Sequence, residues 1–93
     1  MNFDAIRNYY EHLVINYLME EAAPHGKIID EELIEDIACL ALNNLPARYI
    51  RHEVDMAFFL TTADREQMKN SVIEAVDDAI KLISKNAKEA SRE

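Results

Sequence analysis

Apolar residues recur at threes and fours in three separate stretches, and that spacing predicts a protein built of helices. The first stripe is Phe3, Ile6, Tyr10, Leu13, Val14, Tyr17 and Leu18, with Asn2 as its N-cap and an end near Ala22 or Ala23. Tyr9, Ile15 and Met19 lie off this stripe. The first helix thus has more apolar surface than one small intramolecular partner covers, which predicts a subunit interface. Pro24-His25-Gly26 then breaks the helix, because proline cannot continue the ladder and glycine supplies a permissive turn. Asp30 is the next expected N-cap, with Glu31 and Glu32 in the first turn where the helix dipole favours anions. Ile29 is placed to staple onto Ile34.

The second helix carries Leu33, Ile34, Ile37, Ala38, Leu40, Ala41, Leu42 and Leu45. Its second half is apolar on nearly every side, so it is expected to be central and buried all round. Cys39 is read with it, as a small buried hydrophobe. Pro46 ends this helix by pushing its predecessor out of the α region, and Ala47 to about Glu53 should be extended or irregular. In Val54 to Leu60 the alternation of Val54, Met56, Phe58 and Leu60 suits a strand, while Val54, Ala57 and Phe58 suit a short helix. The helix is preferred, since a lone strand leaves its backbone groups without partners. Phe58 and Phe59 are expected in the core or in a dimer contact. Thr61 and Thr62 supply a threonine cap, followed by the acids Asp64 and Glu66 in the first turn, and a final stripe of Met68, Val72, Ile73, Val76, Ala79, Ile80 and Ile83 comes after it. That helix should reach Lys85 or beyond, a length on the order of 35 Å. Asn86 to Glu93 is polar and expected to fray. The fold class is therefore all-α: one domain over residues 1–93, three main helices plus a short helical or extended segment, arranged as an intertwined homodimer.

Composition narrows the function more than the fold. The 93 residues are 49% apolar with one Gly and two Pro, far from a disordered composition. Ten Lys and Arg against 18 Asp and Glu give a formal charge of −8, a field that opposes a nucleic acid polymer or an anionic membrane as partner. The lone Cys39 excludes an intrachain disulfide framework and a multi-cysteine zinc module, and it suits a reducing, cytoplasmic location. No apolar run approaches the roughly 20 residues that span a bilayer, and Met1-Asn2-Phe3-Asp4 has no basic region leading into an apolar one. The chain reads as soluble and unprocessed.

Candidate chemistry is sparse. No Gly-rich phosphate loop, HExxH or nucleophile with an adjacent base is present, and Glu35 and Asp36 point about 100° apart on a helix, so the reading is a protein that is not an enzyme and needs no cofactor. His12, Glu20, Glu21, His25 and Asp30 form the one mixed cluster of metal-ligand types, without a metal-site spacing. Arg48, Arg51 and His52, beside Tyr49, are the only local concentration of positive charge. Guanidinium groups contact phosphates in bidentate fashion and stack on bases, so this segment is a candidate anion site; otherwise it neutralises nearby acids.

Asp36, Ala41, Leu42, Asn43, Leu45, Pro46 and Tyr49 match a signature of an Asp, several apolar residues and then Ala-Leu-Asn-x-Leu-Pro-x-x-Tyr. The stretch resembles the ComFB-like (late competence development) family in its specific part over 36–50, and in layout over about 3–84. The resemblance implies a small all-helical homodimer that acts without catalysis. Some cyanobacterial members are receptors for cyclic dinucleotide messengers. On that analogy cyclic di-GMP is the favoured ligand, with Arg48 and Arg51 on phosphates, Tyr49 stacking and Asn43 hydrogen bonding at the helix end. The alternative is a protein-interaction adaptor in competence, motility or surface behaviour, with an unknown protein partner and no small ligand. Zinc-bearing members carry a cysteine cluster before the central helix, where this chain has Pro24 to Asp30, so no metal is carried over. Asn44 and Ala47 stand where many members have arginine and a second proline.

Overall fold

The computed structural model describes residues 3–28 and 30–91. After a 3₁₀ turn at Phe3–Ala5 come strand β1 (Arg7–Asn8) and helix α1 (Tyr9–Tyr17), which continues as a π-type turn over Leu18–Ala22. A 3₁₀ turn at Glu31–Leu33 leads into α2 (Ile34–Asn43), followed by β2 (Tyr49–Ile50), α3 (Glu53–Phe59) and α4 (Thr62–Ser91). The all-α class holds, with one small antiparallel ladder added, Arg7 opposite Ile50 and Asn8 opposite Tyr49. Among the described residues no helix is long and apolar enough to cross a membrane.

α4 is the axis. Its Met68, Val72, Ala75, Val76 and Ala79 form a buried stripe, and α2 makes its most extensive contact there, with α1 packed against both. Ala41 of α2 is fully buried in the same cluster. With no side chain larger than a methyl at Ala41, Ala75 and Ala79, the two backbones can approach closely, and Val14, Leu18 and Val76 fill the space beside them. α1 contributes Tyr10, Val14, Leu18 and Ala22, a stripe spaced strictly by fours. Four-residue steps overshoot an α-helical turn by about 40° each. The wider turn after Tyr17, seen in the Ala23 N–H bonding to Leu18 O at 2.9 Å, unwinds that drift and keeps Leu18 and Ala22 on the core side.

Several expectations shift. α1 starts at Tyr9 with Asn8 as its cap, six residues later than proposed, so Phe3 and Ile6 lie outside the buried stripe and are exposed. Asn2 and Ile29 lie outside the described residues. Asp30 does cap, its Oδ1 accepting from Glu32 N–H at 3.0 Å, though through a 3₁₀ turn before α2. α2 ends at Asn43, with Asn44 Nδ2 donating to Leu40 O at 3.1 Å before Pro46 is reached. It is not buried all round: Ile37 and Ala41 are buried, Leu40 and Leu42 half-buried, and Cys39 is exposed. The apolar run is wider than the surface that α4 and α1 offer, so its outer edge, including Cys39, faces out. The segment after Ile50 is helical, as preferred, but Phe58 and Phe59 are exposed and not core. α4 continues as helix to Ser91.

The turn between α1 and α2 is fixed by Gly26, whose φ of 74° is the only positive value among the described residues. Beyond it Lys27 Nζ donates to the Tyr17 hydroxyl at 2.9 Å and lies 3.5 Å from Asp77 Oδ1, tying the turn to α1 and α4. The Tyr17 hydroxyl bond, then the Asp77 charge, hold the Lys27 ammonium above its ordinary value.

Leu18 is 1% exposed at the meeting point of the three helices. Leu18→Ala should destabilise the fold by about 2–5 kcal/mol, whereas Glu11→Ala on the outer face should stay within about 0.5 kcal/mol. Urea denaturation followed by circular dichroism measures both.

Candidate functional site

The Arg48-to-His52 segment is positioned by α1. Asn8 precedes α1 in an extended conformation, and its Oδ1 accepts from Tyr10 N–H at 3.2 Å, which caps the helix. The same oxygen accepts from Arg48 N–H at 2.9 Å, while Tyr9 N–H donates to Arg48 O at 2.7 Å. One side-chain amide therefore both caps α1 and holds a segment forty residues further along the chain, and the ladder through Tyr49 and Ile50 follows from it. Sequence reading missed Asn8. Its signal was present as Asn8-Tyr9-Tyr10-Glu11, a cap residue followed three positions later by an acid.

β2 then feeds α3, whose inner side is held by buried Met56. Extended Leu60 joins α3 to α4. α4 begins in a reciprocal cap: Thr61 Oγ1 accepts from Asp64 N–H at 3.0 Å and Asp64 Oδ2 accepts from Thr61 N–H at 3.1 Å. The Thr61 N–H, then the Thr61 hydroxyl, and more weakly the Arg48 charge hold the Asp64 carboxyl below its ordinary 3.8.

Arg48 lines an open cavity of about 300 Å³ with Tyr10, Pro46, Leu60, Asp64 and Met68. The cavity is of mixed charge, since Arg48 faces the field of a carboxylate already engaged in a helix cap. Tyr49, Arg51 and His52 are exposed and Tyr49 and Arg51 lie outside this cavity. Asn43 turns back along α2, with Nδ2 4.0 Å from Cys39 Sγ. The structure thus leaves Arg48, Tyr49 and Arg51 exposed along one short strip, Arg48 at the cavity and Tyr49 and Arg51 outside it, while Asn43 points back along α2.

A second concavity of about 400 Å³ runs between α1 and α4, walled by Leu13 and Tyr17 on one side and Met68, Val72 and Ile73 on the other, with Leu60 at one end. His12, by contrast, pairs locally with Asn16 at 3.1 Å, and His25 with Glu21 O at 2.7 Å. Among the described residues no three His, Cys, Asp or Glu side chains gather in a way that could hold a metal ion.

Asn8→Ala removes an acceptor from two N–H groups and should cost about 1–3 kcal/mol, with faster hydrogen exchange at the Tyr10 and Arg48 amides. Unchanged exchange at Arg48 would refute the clamp. For Asp64, the folded state favours the charged form, so its contribution is fully present above the ordinary 3.8 and is lost as pH falls through the folded value. The stability gap between the native chain and Asp64→Asn should therefore narrow steadily in denaturation curves taken below pH 3.8.

No curated protein and no solved structure matches the chain. Residues 7–87 match the family of the Late competence development protein ComFB, a span that runs from β1 through most of α4 and includes both the Asn8 clamp and the Arg48 strip. The chain belongs to the ComFB family.

Proposed function

We propose that this protein is a non-catalytic regulatory module of the cytoplasm that acts through surface contacts as a homodimer. Family membership implies a role related to late competence development. The observation that carries the reading is the exposure of six large apolar side chains, Phe3 and Ile6 before the ladder, Tyr49 in β2, and Val54, Phe58 and Phe59 on α3. Apolar exposure of this kind, on a chain whose other surface is strongly acidic, suits contact with protein. The exposed lone Cys39 suits a reducing compartment.

A second reading, binding of cyclic di-GMP, is favoured by a separate observation. Arg48, Tyr49, Arg51 and His52 are exposed in sequence, on a backbone held rigid by Asn8 and the ladder. Two guanidinium groups flanking an aromatic ring supply phosphate contacts and a stacking face. Against it stand the Asp64 carboxylate near Arg48 and the contact of Asn43 with Cys39, back along α2.

Light scattering at micromolar concentration should give twice the chain mass; a single-chain mass would sink the homodimer reading. Calorimetry with a panel of cyclic dinucleotides separates the two ligand alternatives. Heat that disappears in Arg48→Glu/Arg51→Glu, with the helical circular dichroism intact, selects the receptor, and silence at high micromolar ligand selects the adaptor.

A further inference from the structure

The ladder brings a further arginine to the Arg48 segment. Arg7 of β1 stands opposite Ile50, and Asn8 stands opposite Tyr49. The bond from Tyr9 N–H to Arg48 O carries the same pairing one step further, so Tyr9 stands opposite Arg48. Successive residues of a strand face opposite ways, which puts Arg7, Ile50 and Arg48 on one side of the ladder and Tyr49 on the other. Arg7 and Arg48 are then diagonal neighbours, about 7–8 Å apart, a gap that long side chains reach across. Both are exposed. In the sequence Arg7 falls inside the apparent first helix, far from Arg48, so nothing there joins the two.

Two guanidinium groups on one face repel each other unless an anion lies between them. In a chain with 18 Asp and Glu against 10 Lys and Arg, a carboxylate is the expected neighbour. Here it is missing: among the described residues Arg7, Arg48 and Arg51 enter no ion pair. Asp64 feels the charge of Arg48, but its Oδ2 is taken by Thr61 N–H in the α4 cap. The start of α1, directly after Arg7 and Asn8, adds the positive end of a helix dipole to the same place. The backbone under both arginines is fixed by the ladder and the Asn8 clamp. Such a pair offers two N–H forks to the oxygens of a single phosphodiester.

Resting on the cyclic di-GMP reading above, we propose that Arg7 is a third arginine of the anion site, and that Arg7 and Arg48 clamp one phosphodiester of the ligand from the two strands. Arg51 lies outside this pair. Neither strand alone supplies the clamp, so the site exists only once the ladder has formed.

Calorimetry with cyclic di-GMP on the full chain tests this. Arg7→Gln should weaken binding about tenfold or more, with Arg7→Lys intermediate. Lys81→Gln removes the same charge about 20 Å beyond Met68 along α4 and should change affinity less than about twofold. Arg7→Gln combined with Arg48→Gln should lose less than the product of the two single effects, because both act on one phosphate. Hydrogen exchange at the Arg48 amide should stay as slow in Arg7→Gln as in the unsubstituted chain. Binding by Arg7→Gln within about twofold of the unsubstituted chain, or an equal loss in Lys81→Gln, overturns the role of Arg7 and leaves the cyclic di-GMP reading standing. Faster exchange at Arg48 accompanying the loss makes Arg7 structural and overturns it too. No heat from the unsubstituted chain at high micromolar ligand overturns both.

Discussion

How near α2 can come to α4 decides where everything else goes. Packed helices lie about 8–10 Å apart depending on the side chains between them. Here Ala41 meets a stripe containing Ala75 and Ala79, so the contact uses small residues and the larger Val14, Leu18 and Val76 flank it. A bulkier residue at any of the three alanines would prise the pair apart and open a void along α1. Because the buried stripe of α4 spans Met68 to Ala79, the core is centred on its middle turns. α3 and the far end of α4 extend beyond that centre, which is why a small chain is 50 Å long in one direction.

The Arg48-to-Ile50 segment is ordered by backbone bonding and not by burial. Asn8 links the start of α1 to Arg48, and the two-residue ladder carries that order to Ile50. Such a clamp costs little in sequence: one amide side chain does the work of a cap and of a loop anchor. It leaves the Arg48, Tyr49 and Arg51 side chains exposed on a fixed strip. Electrostatically the strip is an exception in a chain of net charge −8, and Asp64 tempers it from one side. The chain thus carries exposed apolar side chains on α3 and exposed cationic ones on the segment just before it.

The helical content, the three main stripes, the Pro24–Gly26 break, the Asp30 cap, the Thr61 cap and the short helix before it were all legible in the residue order, because each rests on local chemistry: spacing, capping and dihedral preference. The ComFB resemblance was legible too, carried by Asp36 to Tyr49, and the match over 7–87 agrees with it. The first helix was started too early because Phe3 and Ile6 fit its periodicity, and Asn8 lies inside that apparent stripe. Cys39 was placed inside for the same reason, since hydropathy alone does not tell which apolar face finds a neighbour.

What the sequence determined by itself was the set of elements and their punctuation, since helix spacing and caps act over a few residues. Only the tertiary structure decided that α1 begins at Tyr9 behind the Asn8 cap, that a ladder joins residues 7–8 to 49–50, that Asn43 turns back along α2 toward Cys39, and that α3 keeps its Val54–Phe58 face open. Each of those depends on pairing between segments tens of residues apart. A chain with more apolar faces than partners within itself does not announce in its sequence which faces stay uncovered.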